Sequence, residues 1–107
     1  MFIYDLPVEG VITQDPSPIH QAHDISCIEG SYVKAVHSGY GTFHYSREMG
    51  WVFVIRYEDR KTSYSHLKEV GPKKYYLEGE VIGICGSTGI WSSGPHVHFE
   101  SNKPYRF

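Results

Sequence analysis

Two histidines, His96 and His98, stand two residues apart in Gly94-Pro95-His96-Val97-His98-Phe99-Glu100, near the C-terminal end. In an extended strand, side chains two apart project to one face. Both imidazoles then point the same way while Val97 turns toward a core. Placed just after the turn signal Ser92-Ser93-Gly94-Pro95, the pair can supply a metal ligand and a partner for its water. Upstream, His20 and Asp24 are four residues apart, a separation that allows one face in a strand and also in a helical turn. Between them and the C-terminal pair lies Tyr64-Ser65-His66-Leu67, which puts another histidine at a strand end. Histidine with Asp or Glu is the donor set of hydrolytic zinc sites, which use three protein ligands and keep an open position for water. Taken singly, His20 reads as a solvated loop histidine, Asp24 as a turn former or cap, and His66 as a partly buried histidine with one hydrogen bond. Only their convergence gives them a chemical role.

The elements that must bring them together read as short strands. Residues 6–13 form a turn leading into a strand. Residues 14–19 contain Pro16 and Pro18, which exclude regular helix and predict an irregular loop. Residues 25–28, 32–37 and 41–45 look extended, and 51–57 are dense in β-branched and aromatic residues. A charged hairpin tip at 58–61 leads back through 62–67, with Thr62, Tyr64 and His66 expected on one face. Residues 68–75 read as a polar loop, since Val70 is the sole apolar residue before Tyr75. A strand over 77–84, interrupted by Glu78-Gly79-Glu80, precedes the glycine-rich turn Cys85-Gly86-Ser87-Thr88-Gly89. That turn is not a phosphate loop, because no lysine follows its glycines. Residues 104–107 read as a tail. The pattern predicts an all-β fold, a small antiparallel β-sandwich or open barrel with a surface groove and little or no helix.

Composition narrows the function. A chain of 107 residues is expected to form one small domain over 1–107. Its formal charge of −2 gives no electrostatic case for nucleic acid or an anionic membrane. Cys27 and Cys85 form no Cys-x-x-Cys and read as small core residues, with a disulfide as the alternative. Met1-Phe2-Ile3-Tyr4-Asp5 lacks the basic start and long apolar run of a signal peptide. No stretch approaches the length of a membrane-spanning helix. The protein is therefore expected either to stay in the cytoplasm or to leave by a route this sequence does not encode.

The ordered motifs His20-x-x-x-Asp24, Tyr64-Ser65-His66-Leu67 and His96-Val97-His98-Phe99-Glu100 resemble the LytM/lysostaphin-type zinc endopeptidases of bacterial cell walls. The similarity extends from about Gly10 to Glu100. It includes the run from His20 to Val33, and Ile82-Gly83 with Ser87-Thr88-Gly89 before the final strand. The resemblance implies that His20, Asp24 and His98 are zinc ligands and that His66 and His96 are catalytic histidines not bound to metal. It further implies that zinc lowers the pKa of a bound water toward about 7 and polarises the scissile carbonyl. The implied substrates are peptide stems or cross-bridges of peptidoglycan, cleaved by a monomer acting at the cell wall. A free-standing domain of this kind fits a phage-encoded lysin or an excised part of a larger secreted protein.

The chain departs from the family pattern at two points. Ala22 replaces the glycine usual between the first ligand and the aspartate, and residues 14–19 lack the tyrosine that often precedes the first ligand. Tyr4, Tyr40 and Tyr45 are the candidates to replace it. Trp91 and Tyr64 are expected to line the substrate groove, with packing as the alternative for Trp91. Glu100 either orients a histidine or forms a structural salt bridge. His23, His37 and His44 match no functional position, and His23, odd in parity against Asp24, should point away from the metal. Two other functions compete: a non-enzymatic wall-binding or regulatory module of the same fold, and a structural zinc protein. Intact ligand and catalytic positions argue against the first; against the second, the fourth candidate near the metal is a histidine expected to act on water rather than to close the site.

Overall fold

The structure, a computed structural model, describes residues 1–14 and 22–107. His20 and nearly all of the expected loop over 14–19 lie outside the described residues. Those described form β1 (Phe2–Ile3), β2 (Val11–Gln14), β3 (Ala22–Ser26), β4 (Tyr32–Lys34), β5 (Gly39–Ser46) and β6 (Gly50–Tyr57). They continue as β7 (Arg60–Val70), β8 (Lys74–Tyr76), β9 (Val81–Cys85), β10 (His96–Ser101) and β11 (Tyr105–Arg106). The described residues contain no helix.

The main sheet runs β2-β3-β10-β7-β6-β5-β8, and β9 joins β7 and carries β4 on its other edge. Alternation along β6 and its neighbours turns Phe53, Ile55, Tyr64, Val97, Phe99 and Ile25 into one fully buried core. Each such apolar side chain contributes about 1.5–3 kcal/mol of burial. The opposite face of β10 carries His96, His98 and Glu100.

β7 changes partner along its length, and the change falls at the site. It pairs β10 over Thr62–Ser65 and β9 at Leu67, Glu69 and Val70. His66 sits at the junction.

Several expectations need correction. The expected polar loop over 68–75 is instead the end of β7 followed by β8. Strand formation there needs main-chain partners rather than an apolar side-chain pattern, and β9 and β5 supply them. Tyr76 then seats its ring edge-on against Phe53, 5.2 Å between centroids. The expected tail is β11, pairing β1 in parallel and inserting Tyr105 against Phe99. The strand carrying Asp24 begins at Ala22, earlier than expected. Cys27 and Cys85, expected as small core residues, are joined as a disulfide. The turn after β3 is bound to β9, with Gly30 N donating to Cys85 O at 3.0 Å and Cys85 N donating to Ser31 O at 2.8 Å. Those bonds bring Cys27 beside a partner that lies 58 residues away in the chain.

Candidate active site

Asp24 and His98 are direct register partners across the antiparallel β3–β10 pair, and His96 faces Ser26. Val97 and Ile25, between them, are fully buried, so regular alternation turns Asp24, His96 and His98 to the open face. Asp24 Oδ1 lies 2.8 Å from His98 Nδ1 and 3.8 Å from His96 Nε2. On its other side, His98 Nε2 donates to Glu100 Oε1 at 2.8 Å. Glu100 therefore orients a histidine. Its partner is the expected metal ligand.

His66 arrives differently. Regular alternation from Thr62 and Tyr64 would send it into the core. Tyr64 is fully buried, opposite Phe99 on one side and Phe53 on the other. Between the pairs Trp51↔Leu67 and Phe53↔Tyr64, however, β6 supplies only Val52 while β7 supplies Ser65 and His66. This β-bulge leaves His66 at φ +64°, a left-handed conformation uncommon outside glycine. The extra residue swings its ring to the open face, where its centroid lies 4.7 Å from that of His96 and 6.4 Å from that of His98. The expectation that Thr62, Tyr64 and His66 share a face is thus corrected, and so is Tyr64 as a groove residue. The Tyr64 hydroxyl is engaged with Val36 N and Thr62 Oγ1, and burial raises its pKa.

The tautomers of His66 and His96 follow from their partners. A carbonyl only accepts, so His66 Nδ1–H donates to Thr88 O at 2.7 Å. His96 Nδ1–H likewise donates to Gly94 O at 2.8 Å. Each ring keeps Nε2 for chemistry. Burial holds the His66 imidazole below its ordinary pKa; the Thr88 carbonyl opposes that shift, and the neighbouring His96 and His98 reinforce it.

Trp91 is 69% exposed and lines a groove of about 310 Å³ with Thr13, Asp24, Ser26 and His96. His23 turns to the buried face, with Nδ1 2.5 Å from the Tyr105 hydroxyl. His37 is buried and His44 exposed. Of the candidate tyrosines, Tyr4 packs in the core against Phe99, and Tyr45 rests edge-on against Trp51. Tyr40 pairs Arg56 on β5, three strands from His98 and roughly 20 Å away by sheet spacings. Thr88, to which the sequence assigned no role of its own, reaches the histidine cluster through its main-chain carbonyl to His66.

The donor chemistry suits zinc: a carboxylate and an imidazole nitrogen face each other, and Glu100 holds the other ring nitrogen of His98, the arrangement that orients metal-binding histidines. Among the described residues no group of three His, Cys, Asp or Glu forms a full metal set. The third expected ligand, His20, lies outside them.

The description "Peptidase family M23" matches residues 18–106. No curated protein matches by sequence. Among solved structures, the chain is similar to the catalytic domain of the prophage-encoded M23 protein EnpA from Enterococcus faecalis, at 24% identity and TM-score 0.82 over 95% of this chain and 87% of that one. It is similar to the antimicrobial peptidase lysostaphin from Staphylococcus simulans, at 29% identity and TM-score 0.75 over 86% of this chain and 42% of lysostaphin. A zinc-containing peptidase from Vibrio cholerae superposes at 24% identity and TM-score 0.72, over 94% of this chain and 35% of that one. The chain thus spans less than half the length of the last two, and the likenesses at 24% identity speak to fold alone. The match over residues 18–106, read with the lysostaphin similarity, gives the family: the chain belongs to peptidase family M23.

Proposed function

We propose that residues 1–107 form one zinc-dependent endopeptidase domain that hydrolyses peptide cross-links of bacterial peptidoglycan at the cell wall. The observation that carries this reading is the meeting of His66, His96, His98 and Asp24 on one open face, although β7 must break its alternation to contribute. Membership of an M23 peptidase family and similarity to lysostaphin support it. In this reading His20, Asp24 and His98 hold the zinc. When bound, the ion supplies Lewis-acid activation of water and of the scissile carbonyl.

The remaining work falls to the protein's own groups. His66, kept neutral by burial and with Nδ1–H committed to Thr88, accepts the water's proton at Nε2. His96, whose Nε2 lies 3.8 Å from Asp24 Oδ1, is the second ring on this face and the partner for the developing oxyanion. Glu100 fixes the ring of His98, and Trp91 offers an exposed aromatic wall for the peptide.

The test is mass analysis of products from several purified peptidoglycans, with zinc, with a chelator, and with zinc restored. New peptide termini that vanish on chelation and return with zinc are expected. Zinc binding without any cleaved peptide would sink the proposal and favour a non-enzymatic wall-binding module.

A further inference from the structure

His66 is held by groups that take no part in the chemistry proposed above. Its main-chain N donates to Met49 O at 2.8 Å, and its Nδ1 donates to Thr88 O at 2.7 Å. The Thr88 side chain is engaged as well. Its hydroxyl accepts from Trp51 N at 3.1 Å and donates to Leu67 O at 2.6 Å. Trp51 and Leu67 are the register pair that closes the bulge. One hydroxyl therefore bridges the place where β6 and β7 lose their regular ladder, satisfying a donor on one strand and an acceptor on the other.

The surrounding backbone is shaped to let Thr88 in. Gly50 has φ +68°, and a Cβ there would fall 2.1 Å from Thr88 Oγ1. Gly89 has φ +88°, and its Cβ would fall 2.4 Å from both Glu48 O and Gly50 N. The loop then runs along the β5–β6 turn, with Ile90 N donating to Arg47 O at 3.0 Å and Trp91 N to Glu48 O at 3.1 Å. Three segments distant in sequence are thereby joined behind one imidazole.

We propose that Thr88 is a positioning residue for His66: its hydroxyl pins the β7 bulge, and its carbonyl fixes the Nδ1–H tautomer that leaves Nε2 open beside His96. The claim about rate rests on the reading of His66 as the proton acceptor; the claim about tautomer and bulge does not. Thr88→Val keeps the branched shape and removes the hydroxyl, leaving Trp51 N and Leu67 O without that partner. Thr88→Ser keeps the hydroxyl.

The experiment uses the full, zinc-loaded chain. Long-range proton–nitrogen NMR of the His66 ring reads its tautomer, and steady-state hydrolysis and zinc stoichiometry are measured alongside. The parent should show the Nδ1–H form. Thr88→Val should lose or broaden that signature at unchanged zinc content. Its kcat should fall about ten- to a hundredfold with KM nearly unchanged, as expected for a misplaced catalytic group. Thr88→Ser should restore both readouts. An Nε2–H ring in the parent overturns the proposal, as does a Thr88→Val protein with the parent's spectrum and rate. If Thr88→Val does not fold, Thr88→Ala takes its place, and the parent spectrum alone still decides the tautomer. If the parent cleaves no peptidoglycan, the proposed activity falls while the NMR comparison continues to judge the role of Thr88.

Discussion

Two regions supply the candidate site, and they position side chains by opposite means. On the β3–β10 side, unbroken antiparallel register sets Asp24 across from His98, with His96 one strand period away on the same face. On the β7 side, a bulge at Ser65–His66, a left-handed residue and a loop from residues 86–91 deliver one imidazole. The first region inherits its geometry from the sheet. The second must hold a break in the sheet open, and it does so with hydrogen bonds from Met49 and Thr88. In the proposed reading, Asp24 and His98 share a metal and need a fixed separation, which register provides. A group that moves protons needs its own orientation and tautomer, and a bulge can re-aim one side chain without shifting its neighbours.

The sharpest way to break this comparison is to remove one histidine from each side. His98→Ala should lose zinc, and with it all hydrolysis, by metal analysis and product assay. His66→Ala should keep parent zinc stoichiometry and lose roughly 10²–10⁴-fold in kcat, the range for a positioned acid–base group. Zinc loss from His66→Ala, or parent-like rates without it, would show that the two regions do not divide the work this way.

The same division explains what could be read from the sequence. His96 and His98 obey strand parity, so their common face followed from spacing, whereas Asp24 joined them only through the family resemblance, because cross-strand register sets it opposite His98. His66 was found by its neighbours Tyr64, Ser65 and Leu67, but its face was not. Parity put it with Tyr64, and one additional residue on β7 reversed that. Nothing in Tyr64-Ser65-His66-Leu67 announces a bulge, because its cause lies in Trp51, Met49 and Thr88, all remote in the chain. The Cys27–Cys85 link ranked only as the alternative for a related reason, since main-chain bonds of Gly30 and Ser31 with Cys85 bring the partners together. β8 escaped notice because its main-chain pairing with β5, rather than an apolar pattern, makes it a strand.

The disulfide offers the next test, because it ties the two regions together. Cys27 directly follows β3, which carries Asp24. Cys85 ends β9 and leads into the loop that holds His66. With its ends 58 positions apart in the chain, chain-entropy reasoning assigns the link about 4 kcal/mol of stability. For a chain near this size that is roughly 15–30 °C in Tm. Cys27→Ser with Cys85→Ser should fall by that order in calorimetry, and reduction of the parent should match it. A change of only a degree or two would mean that the sheet register alone holds the regions in place.

The smallest effect expected lies on the buried side of β7, beneath the bulge. Val36 N–H donates to the Tyr64 hydroxyl. With His37 Nδ1–H given to Ser38 O at 2.8 Å, Nε2 is left to accept from Thr62 Oγ1 at 2.9 Å. Thr62 in turn accepts from the Tyr64 hydroxyl at 3.0 Å. Every proton in this chain has an assigned place only while His37 is neutral. Burial accordingly lowers its pKa, with the Ser38 carbonyl opposing that shift and the Arg60 charge adding to it. The unfolded chain titrates near the ordinary value of 6.5, so below that pH it binds a proton that the folded protein refuses. The contribution of His37 to stability is therefore intact above about pH 6.5 and declines as pH falls, until the folded state protonates too. The slope is at most about 1.4 kcal/mol per pH unit for one proton. Denaturant titrations of the parent and of His37→Gln at pH 7.5 and 5.5 isolate it: the parent should lose more stability than the variant on acidification. Equal losses would show that His37 and the core beneath β7 do not carry the acid sensitivity of the fold.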